Sequence, residues 1–291
     1  MLRLDRVLTL YAFSAFLKFV SLKNPSIPIL MYHSISDEPE SGHPYFWINT
    51  SRKCFAEQMQ FLKDNDYTVI SLIEAADILA PSHDQENSSK RYVVLTFDDG
   101  YHDFLKYAWP ILARYGFTAT MFVSTDYIGK SRMWFNGRES LTWSEVRELR
   151  GQGVSFGSHT VSHPKLYGLP WEKIRRELLD SRLRLEDELQ TTTRCFAYPY
   201  AFPQEDQSFV ARFRQELIDQ GYHIAVTTAI GLAQWGSDPH CLKRLPINEG
   251  DDDRLLRAKL AGAYDWLSGA QYLSRRIKSR IEGAPEIRTV C

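Results

Sequence analysis

Hydrophobic positions along the chain follow two alternating patterns. Short uninterrupted apolar runs are typical of strands buried on both faces, and segments with an apolar residue every three or four positions are typical of helices. The clearest strand is Tyr92–Phe97, and the clearest helix is the charge-rich segment Trp171–Leu189. We predict further strands at Ile27–Tyr32, Tyr67–Ser71, Thr118–Val123, Val154–Gly157, Cys195–Tyr198 and His223–Thr228, and further helices at Cys54–Asn65, Leu72–Leu79, Leu105–Tyr115, Trp143–Gln152 and Phe209–Gln220.

This alternation predicts an α/β fold with a parallel sheet closed into a barrel. With 291 residues, 44% of them hydrophobic, the chain can bury one substantial core. We therefore expect an N-terminal amphipathic helix within residues 1–26, one catalytic barrel at 27–250 and a C-terminal helical tail at 251–291. In such barrels the residues that follow strands meet at one face, so those residues are the candidates for chemistry.

The two terminal segments have their own patterns. Residues 7–20 are apolar apart from three positions, a stretch shorter than the roughly 20 residues that a membrane-spanning helix needs. No small-x-small cleavage site follows, so we expect an uncleaved helix packed on the domain, with contact to a membrane surface as the alternative. Residues 252–282 alternate basic and apolar side chains, which indicates a solvated helical appendage, with membrane or partner docking as the alternative.

Charge and cysteine content narrow the function classes. A formal net charge of −1 argues against a nucleic-acid partner. The four cysteines have no C-x-x-C spacing, which argues against a zinc knuckle or a dense disulfide framework and favours free thiols. Free thiols and the lack of a cleavage site favour a cytoplasmic or inner-membrane peripheral location, with export as the alternative.

Three segments stand at the ends of predicted strands, at 96–100, 158–163 and 196–200. Adjacent carboxylates at a buried strand end, Asp98 and Asp99, cost free energy unless a cation or a proton relieves them. His159 and His163 are four residues apart, a spacing that suits capture of one transition metal. Two imidazoles and one carboxylate leave coordination positions open, as in a catalytic zinc site, and the second aspartate is then free to act as a base.

Each segment alone also fits a turn or surface histidines, but their joint order resembles the polysaccharide deacetylases, the NodB-homology group or carbohydrate esterase family four. The first family motif, Thr-Phe-Asp-Asp-Gly, stands at 96–100, and the second, His-Ser/Thr-x-x-His, at 159–163. The resemblance covers about residues 27–247 and implies a distorted (β/α)7 barrel rather than a regular eight-stranded one. It implies that Asp99, His159 and His163 bind the metal and that Asp98 is the catalytic base.

Two departures from the family pattern stand out. The third motif often has an arginine that steadies the catalytic aspartate, but Ala197 stands there, and we expect Arg244 to supply the compensating cation. The usual Leu-x-x-His, whose histidine protonates the leaving amine, does not follow Thr228, which leaves His33, the preferred candidate, and His240. By family analogy the backbone N–H of Tyr200 stabilises the oxyanion.

The resemblance implies a hydrolase that removes N-acetyl groups from amino sugars of a polysaccharide or a lipid-linked glycan. A metal ion lowers the pKa of a bound water, and the base takes its proton. Zinc is the first candidate, and cobalt, nickel and iron remain open. A deformylase or amidase on a small or lipid-linked substrate and a non-catalytic carbohydrate-binding relative also remain open, although the retained acidic pair argues against a pure binder. Tyr101, Trp134, Trp143, Tyr200 and Trp235 are the candidates for apolar walls on which a sugar ring rests, with ordinary core packing as the alternative.

Overall fold

Parallel strands form the centre of the molecule. The structure is a computed structural model that describes residues 3–14, 25–81 and 90–282, with the backbone alone for 275–282. Its strands are β1 (Ser26–Ile27), β2 (Ile29–Tyr32), β3 (Ser34–Ile35), β4 (Asn49–Thr50), β5 (Tyr67–Val69), β6 (Arg91–Phe97), β7 (Thr120–Val123), β8 (Trp134–Phe135), β9 (Arg138–Glu139), β10 (Ser155–Ser158), β11 (Cys195–Ala197), β12 (Ile224–Ile230), β13 (Ala233–Gln234) and β14 (Leu242–Pro246).

Seven of these strands close into a barrel within the described part of the chain. Their order is β2, β14, β12, β11, β10, β7 and β6, and β6 pairs back with β2. Every neighbouring pair is parallel, with Ile29 opposite Val94 at the closing seam. The register between β12 and β14 shifts between Val226 and Ile230, and β5 adds outside the first half of β6. The predicted distorted (β/α)7 barrel is confirmed.

Helices surround the barrel, and five of them begin after a residue whose side chain accepts a hydrogen bond from a first-turn N–H group. They are α1 (Leu4–Leu8), α2 (Arg52–Asp64), α3 (Leu72–Leu79), α4 (Trp109–Tyr115), α5 (Trp143–Gly151), α6 (Trp171–Leu189), α7 (Gln207–Asp219), α8 (Asp253–Leu260) and α9 (Trp266–Glu282). Ser71 with Glu74 and Thr142 with Glu145 form capping boxes that satisfy the first N–H groups of α3 and α5. The first N–H groups of a helix have no backbone acceptor within the helix. The capping side chains replace these acceptors, so the chain can leave a strand or loop and begin a helix at Ser71 and Thr142.

Two prolines account for differences from the expected elements. The expected strand Ile27–Tyr32 is divided at Pro28, which has no N–H for a ladder and whose carbonyl accepts from Val94 N at 3.0 Å. The expected helix Leu105–Tyr115 begins instead as a π-helical turn, Phe104–Ala108, before α4. Pro110 cannot donate to the carbonyl four residues earlier, which explains the wider turn before it.

Apolar side chains fill both faces of the barrel strands. Residues from strands all around the barrel pack together in its interior, among them Ile29, Val94, Phe122, Val226 and Leu242. Their neighbours along the same strands point outward and pack under the helices, including Leu30, Leu95 and Phe97. This double burial explains why the barrel strands read as continuous apolar runs in the sequence.

The C-terminal segment does not begin as the solvated appendage that its basic and apolar pattern indicated. Leu255, Leu256 and Leu260 of α8 are buried in the main core. Lys259, 1% exposed, donates to the carbonyl of Pro246 at 2.6 Å and pairs with Asp251 at 2.8 Å. The solvated interpretation is therefore wrong for this helix, because its apolar stripe covers the barrel and its one inward lysine is paired.

The N-terminal helix turns its polar side inward. Asp5 accepts a hydrogen bond from the Tyr264 hydroxyl at 2.7 Å, and Trp266 Nε1 donates to Thr9 Oγ1 at 3.0 Å. Helix α1 continues as a π-helical stretch, Thr9–Phe13, and positions 15–20 of the expected helix lie outside the described residues. Among the described helices, none has the length and apolar content required to cross a membrane.

Candidate metal centre and active site

The two adjacent carboxylates after β6 enter different surroundings. Both oxygens of Asp98 accept hydrogen bonds from the guanidinium of Arg244, each at 2.7 Å, in a bidentate ion pair. Arg244 is 1% exposed, and its Nε donates to the carbonyl of Thr227 at 3.0 Å. His33 follows β2 with its Nε2 at 4.0 Å from Asp98 Oδ2. Asp98 is thus held by a cation from another strand and faced by a histidine.

Burial and charge act in opposite directions on Asp98. Burial by itself raises the pKa of this carboxyl, but the positive charge and hydrogen bonds of Arg244 hold the pKa well below its usual range. Asp98 is 2% exposed and remains a carboxylate at neutral pH. The site therefore contains a buried, ionised oxygen acceptor.

Asp99 turns away from the arginine and faces two imidazoles. Its Oδ1 lies 3.6 Å from His159 Nε2 and 3.4 Å from His163 Nε2, and the two Nε2 atoms are 3.2 Å apart. Asp99 and His163 adopt left-handed backbone conformations, with φ of 73° and 53°. Although Asp99 Oδ1 is buried, it has no hydrogen-bond partner among the described residues. A buried anionic oxygen without a partner is costly unless a cation approaches it.

The three side chains fit a transition metal. His159 Nδ1 lies 2.8 Å from the carbonyl of Ala197, so this nitrogen carries the proton and Nε2 presents its lone pair to the cluster. Burial and the neighbouring His159 lower the pKa of His163 to about 4, which leaves its imidazole neutral at pH 7. Metal–ligand bonds of 2.0–2.1 Å in a tetrahedron put neighbouring ligand atoms about 3.3 Å apart, which the observed spacings match.

Close strand packing places the second motif at the barrel mouth. A Cβ on Gly157 would stand 2.6 Å from the Phe122 ring and 2.8 Å from the Cys195 carbonyl. Only glycine lets β10 pass this close to its neighbours, and His159 follows directly after the strand. Gly157 thus contributes to the metal centre by letting the strand backbones lie close together, and not through a side chain of its own.

Tyr200 lies at the same end of the barrel. Its backbone is left-handed, with φ of 56°, and its side chain is 54% exposed. The tyrosine ring centroid is 4.7 Å from that of His163, so the residue borders the metal centre. Tyr200 and His33 therefore join the five other predicted site residues at the carboxyl ends of the strands.

Four other candidates cannot take their predicted roles, because they lie at the far end of the barrel or are buried. His240 Nε2 contacts the carbonyl of Tyr222 at 3.0 Å, just before β12, and thus lies at the amino ends of the strands, where it cannot protonate a leaving group at Asp98. Trp235 N donates to the carbonyl of Pro25 at the same far end. Trp143, 2% exposed, belongs to the core. The expectations that Trp143 and Trp235 offer walls to a sugar were wrong, and Tyr101 is likewise fully buried.

Some contributors to the site gave no clear signal in the sequence. Thr96 Oγ1 accepts from Arg244 Nη1 at 3.2 Å and donates to the carbonyl of Leu30 at 2.7 Å, which ties the ion pair to β2. The Phe135 ring lies 5.2 Å from His163. Thr96 stands in the 96–100 motif, but a threonine in a buried strand has no sequence pattern that marks it as a partner of an arginine. Phe135 lies in a two-residue strand that is too short to show any periodicity.

Known proteins resemble this chain over most of its length. Residues 85–224 match the family model described as polysaccharide deacetylase. A Bacillus subtilis protein named as a polysaccharide deacetylase, YxkH, is 32% identical over 232 residues, covering 78% of this chain and 74% of its own. The poly-β-1,6-N-acetyl-D-glucosamine N-deacetylase of Staphylococcus aureus is 25% identical over 208 residues, 65% of this chain and 70% of its own.

A solved structure agrees with the barrel. The Streptococcus pyogenes deacetylase PplD, in complex with acetate, superposes with a TM-score of 0.69 at 28% identity and covers 82% of this chain and 99% of its own. Similarity over this share of the chain is not confined to the short motifs. Because a relative with 32% identity matches about three quarters of each chain, this protein belongs to the polysaccharide deacetylase family.

Proposed function

We propose that the protein is a metal-dependent hydrolase that removes N-acetyl groups from the amino sugars of a polysaccharide or a lipid-linked glycan. One observation carries this proposal: the buried carboxylate Asp98, ionised by Arg244, stands beside a cluster whose three ligand atoms are 3.2–3.6 Å apart. The named activity of the Staphylococcus aureus relative and the acetate in the PplD structure support the choice of an N-acetylated glycan.

Asp99, His159 and His163 would hold the metal. Zinc is the first candidate for this donor set, and cobalt, nickel and iron are compatible with it. When bound, such an ion supplies Lewis-acid polarisation of the acetyl carbonyl and lowers the pKa of water.

The remaining steps belong to side chains of the barrel mouth. Asp98 takes a proton from the attacking water, and Arg244 keeps this carboxylate ionised and fixes the direction of its oxygens. The backbone N–H of Tyr200 stabilises the oxyanion. As the C–N bond breaks, His33 delivers a proton to the sugar nitrogen, and the products are a free amine and acetate.

Acetate release from N-acetylglucosamine oligomers tests the proposal. The zinc-loaded protein is compared with Asp98→Asn and with chelator-treated protein, and we expect both to lose the release. Added zinc restores only the chelated sample, because Asp98→Asn lacks the base rather than the metal. Formate release from N-formyl sugars, without acetate release, would favour the deformylase alternative. Oligomer binding without any release would favour the carbohydrate-binding relative.

Membrane contact is the proposed partner interaction of the N-terminal helix. The side chains of Leu4, Val7, Leu8 and Tyr11 are 64%, 39%, 42% and 68% exposed. Their spacing of i, i+3, i+4 and i+7 forms one outward apolar stripe, whereas Asp5 is buried against the domain. Leu10 and Phe13 of the same segment pack on the domain, so the outward stripe is a second apolar side. Such a stripe suits a bilayer surface, where lipid-linked glycans are found.

Vesicle flotation tests this contact. Vesicles of phosphatidylcholine and phosphatidylglycerol are mixed with the wild-type protein and with a Leu4→Ser/Tyr11→Ser variant. We expect the variant to bind at least about tenfold more weakly, since two large apolar side chains leave the stripe. Phe46→Ser, which removes a side chain 75% exposed elsewhere, is the matched control. Equal binding of all three proteins would rule out the stripe as the contact.

A further inference from the structure

A carboxylate outside the metal cluster contacts the loop between the two histidines. Glu177 Oε2 accepts hydrogen bonds from the backbone N–H groups of Val161 and Ser162 at 2.8 and 3.0 Å, and its Oε1 accepts one from the Ser162 hydroxyl at 2.7 Å. Val161 and Ser162 are two of the three residues that separate His159 from His163. One side chain therefore binds most of the loop that connects the two imidazoles.

The carbonyl side of this loop is held by another segment. The carbonyls of Thr160 and Val161 accept hydrogen bonds from the backbone N–H groups of Thr125 and Asp126 at 3.2 and 3.0 Å, in the turn that follows β7. Within the described part of the chain, the acceptors for the two N–H groups on the opposite side come from Glu177 alone. The backbone thus fixes one side of the loop, and a single carboxylate fixes the other.

The loop needs this support because of its conformation. Thr160 and His163 have φ values of 72° and 53°, in the left-handed region that non-glycine residues rarely adopt and that persists only where the surroundings hold it. The turn brings the His163 ring back towards His159, so that their Nε2 atoms are 3.2 Å apart. Hydrogen bonds from N–H groups to a carboxylate are roughly twice as strong as those to a neutral acceptor. Glu177 is therefore well suited to hold the strained turn.

Helix α6 gives the carboxylate a rigid base. Glu177 lies on the second turn of α6, and Ser181 follows four residues later on the same face of the helix. The Ser181 hydroxyl, which is fully buried, is 2.6 Å from the Ser158 hydroxyl, and Ser158 Oγ accepts from Thr160 N at 3.2 Å. The helix thus contacts the histidine segment at two points that are one turn apart.

We propose that Glu177 is a positioning residue for the metal centre. It holds the turn that lets His163 share one ion with His159 and Asp99, while it belongs to neither the metal cluster nor the proton-transfer groups. The inference rests on the proposed metal-dependent function. Partners that orient metal ligands typically change metal affinity by about 10- to 100-fold when they are removed.

Zinc affinity tests the proposal. The zinc Kd of metal-free wild-type protein, Glu177→Ala and Glu177→Gln is measured by competition with a chromophoric chelator. We expect Glu177→Ala to bind zinc about 10- to 100-fold more weakly. Glu177→Gln keeps an oxygen acceptor for the two N–H groups and should recover a large part of the affinity. The visible absorption of the cobalt-loaded protein, which depends on ligand geometry, should also change in Glu177→Ala. A wild-type zinc Kd in Glu177→Ala would overturn the proposal.

Glu186→Ala is the matched control on the same helix. Glu186 also accepts a hydrogen bond from a backbone N–H, that of Thr193 at 3.0 Å, but Thr193 precedes β11 at the amino ends of the strands. This variant should lose stability in urea denaturation and keep the wild-type zinc Kd. Equal losses of zinc affinity in the two alanine variants would assign the effect to general stability and refute the positioning role.

A milder variant covers the case in which Glu177→Ala does not fold. Ser162→Ala removes one of the three hydrogen bonds to Glu177 and leaves both backbone N–H contacts in place. We expect a smaller loss of zinc affinity than in Glu177→Ala. With Glu177→Ala unfolded, an unchanged zinc Kd in Ser162→Ala would count against the proposal.

Zinc binding also separates this proposal from the proposed function, because it needs no turnover. If the wild-type protein binds zinc but releases no acetate, and Glu177→Ala binds zinc at least about tenfold more weakly, the positioning role stands and the reaction must be revised. If acetate is released and Glu177→Ala binds zinc as the wild type does, the reaction stands and the positioning role is refuted. A wild-type protein that binds neither zinc nor cobalt would overturn both.

Discussion

Asp98 and Asp99 are neighbours in sequence but occupy two regions with opposite properties. On the arginine side, Asp98 has both oxygens bonded to Arg244 and needs nothing from outside the chain. On the histidine side, Asp99 keeps a buried oxygen that has no hydrogen-bond partner in the part of the chain that the structure describes, next to His159 and His163. A carboxylate whose hydrogen bonds are completed by the protein can serve as a base, whereas a buried carboxylate left incomplete is suited to bind an ion from solution.

Backbone conformation also separates the two sides. Asp99, Thr160 and His163 have φ values of 73°, 72° and 53°, in the left-handed region that non-glycine residues rarely adopt. Such residues cost roughly 1 kcal/mol or more each, and they persist where the surrounding structure holds them. The arginine side is instead built on regular strands. Backbone strain is therefore concentrated around the cluster in which side-chain atoms of Asp99, His159 and His163 lie close together.

The largest effect is expected from removing the incomplete carboxylate. Asp99→Ala should lower acetate release about a thousandfold or more, because the metal supplies several kcal/mol of transition-state stabilisation. The zinc content of the purified protein should fall in parallel. The free energy of unfolding of the metal-free variant should fall by no more than about 1 kcal/mol, the cost of alanine at a left-handed φ, since the buried Oδ1 has no hydrogen-bond partner among the described residues. A clear loss of metal-free stability would show that Asp99 is structural.

Removing the arginine should have the opposite signature. Arg244→Ala leaves Asp98 buried and unpaired, which should lower the free energy of unfolding by about 3–5 kcal/mol in urea denaturation. In the variant, burial raises the pKa of Asp98 because the guanidinium no longer opposes it. As the pH is lowered, activity should therefore be lost at a higher pH than in the wild type. The inactive pair Asp98→Leu/Arg244→Met is the control and should recover most of the stability. Retained stability in Arg244→Ala would contradict the ion pair's role.

A third carboxyl group, that of Asp103, follows the same strand and lies in surroundings of another kind. Asp103 accepts a hydrogen bond from Ser34 but has neither an arginine nor two histidines as partners, and burial raises its pKa to about 6. The folded protein then holds this proton more tightly than the unfolded chain does. Stability from this group is greatest below pH 4 and falls by up to about 3 kcal/mol as the pH rises to 6.

Asp103→Asn should remove this pH dependence. Between pH 4 and pH 7, the variant's free energy of unfolding should gain about 2–3 kcal/mol relative to wild type. Urea denaturation at the two pH values measures the difference. Parallel profiles of the two proteins would contradict a raised pKa for Asp103.

The smallest effect is expected at the edge of the arginine side. His33→Gln should lower kcat about 100-fold, at the lower end of the range of about 10²–10⁴-fold that is typical of a general acid, with zinc content unchanged. His43→Gln, another half-buried histidine that only caps a short turn, is the matched control. An unchanged kcat in His33→Gln would assign proton delivery to another group.

Much of the barrel could be predicted because its signals are local. Tyr92–Phe97 and Trp171–Leu189 have strong periodicity, and the structure has β6 and α6 within one residue of those bounds. The short hairpin β8–β9 could not be predicted, since two-residue strands contain no period. The burial of α8 was missed because a stripe of leucines among basic residues fits a solvated helix as well as a packed one.

The sequence by itself determined the chemical inventory of the site: an acidic pair, two histidines four apart, and the strands that each set follows. It also determined the family, because these motifs occur in a fixed order. Only the tertiary structure decided that Arg244, 146 positions from Asp98, reaches it at 2.7 Å and that His240 points to the opposite end. Barrel closure brings distant strand ends together, and no local pattern records which distant residues will meet.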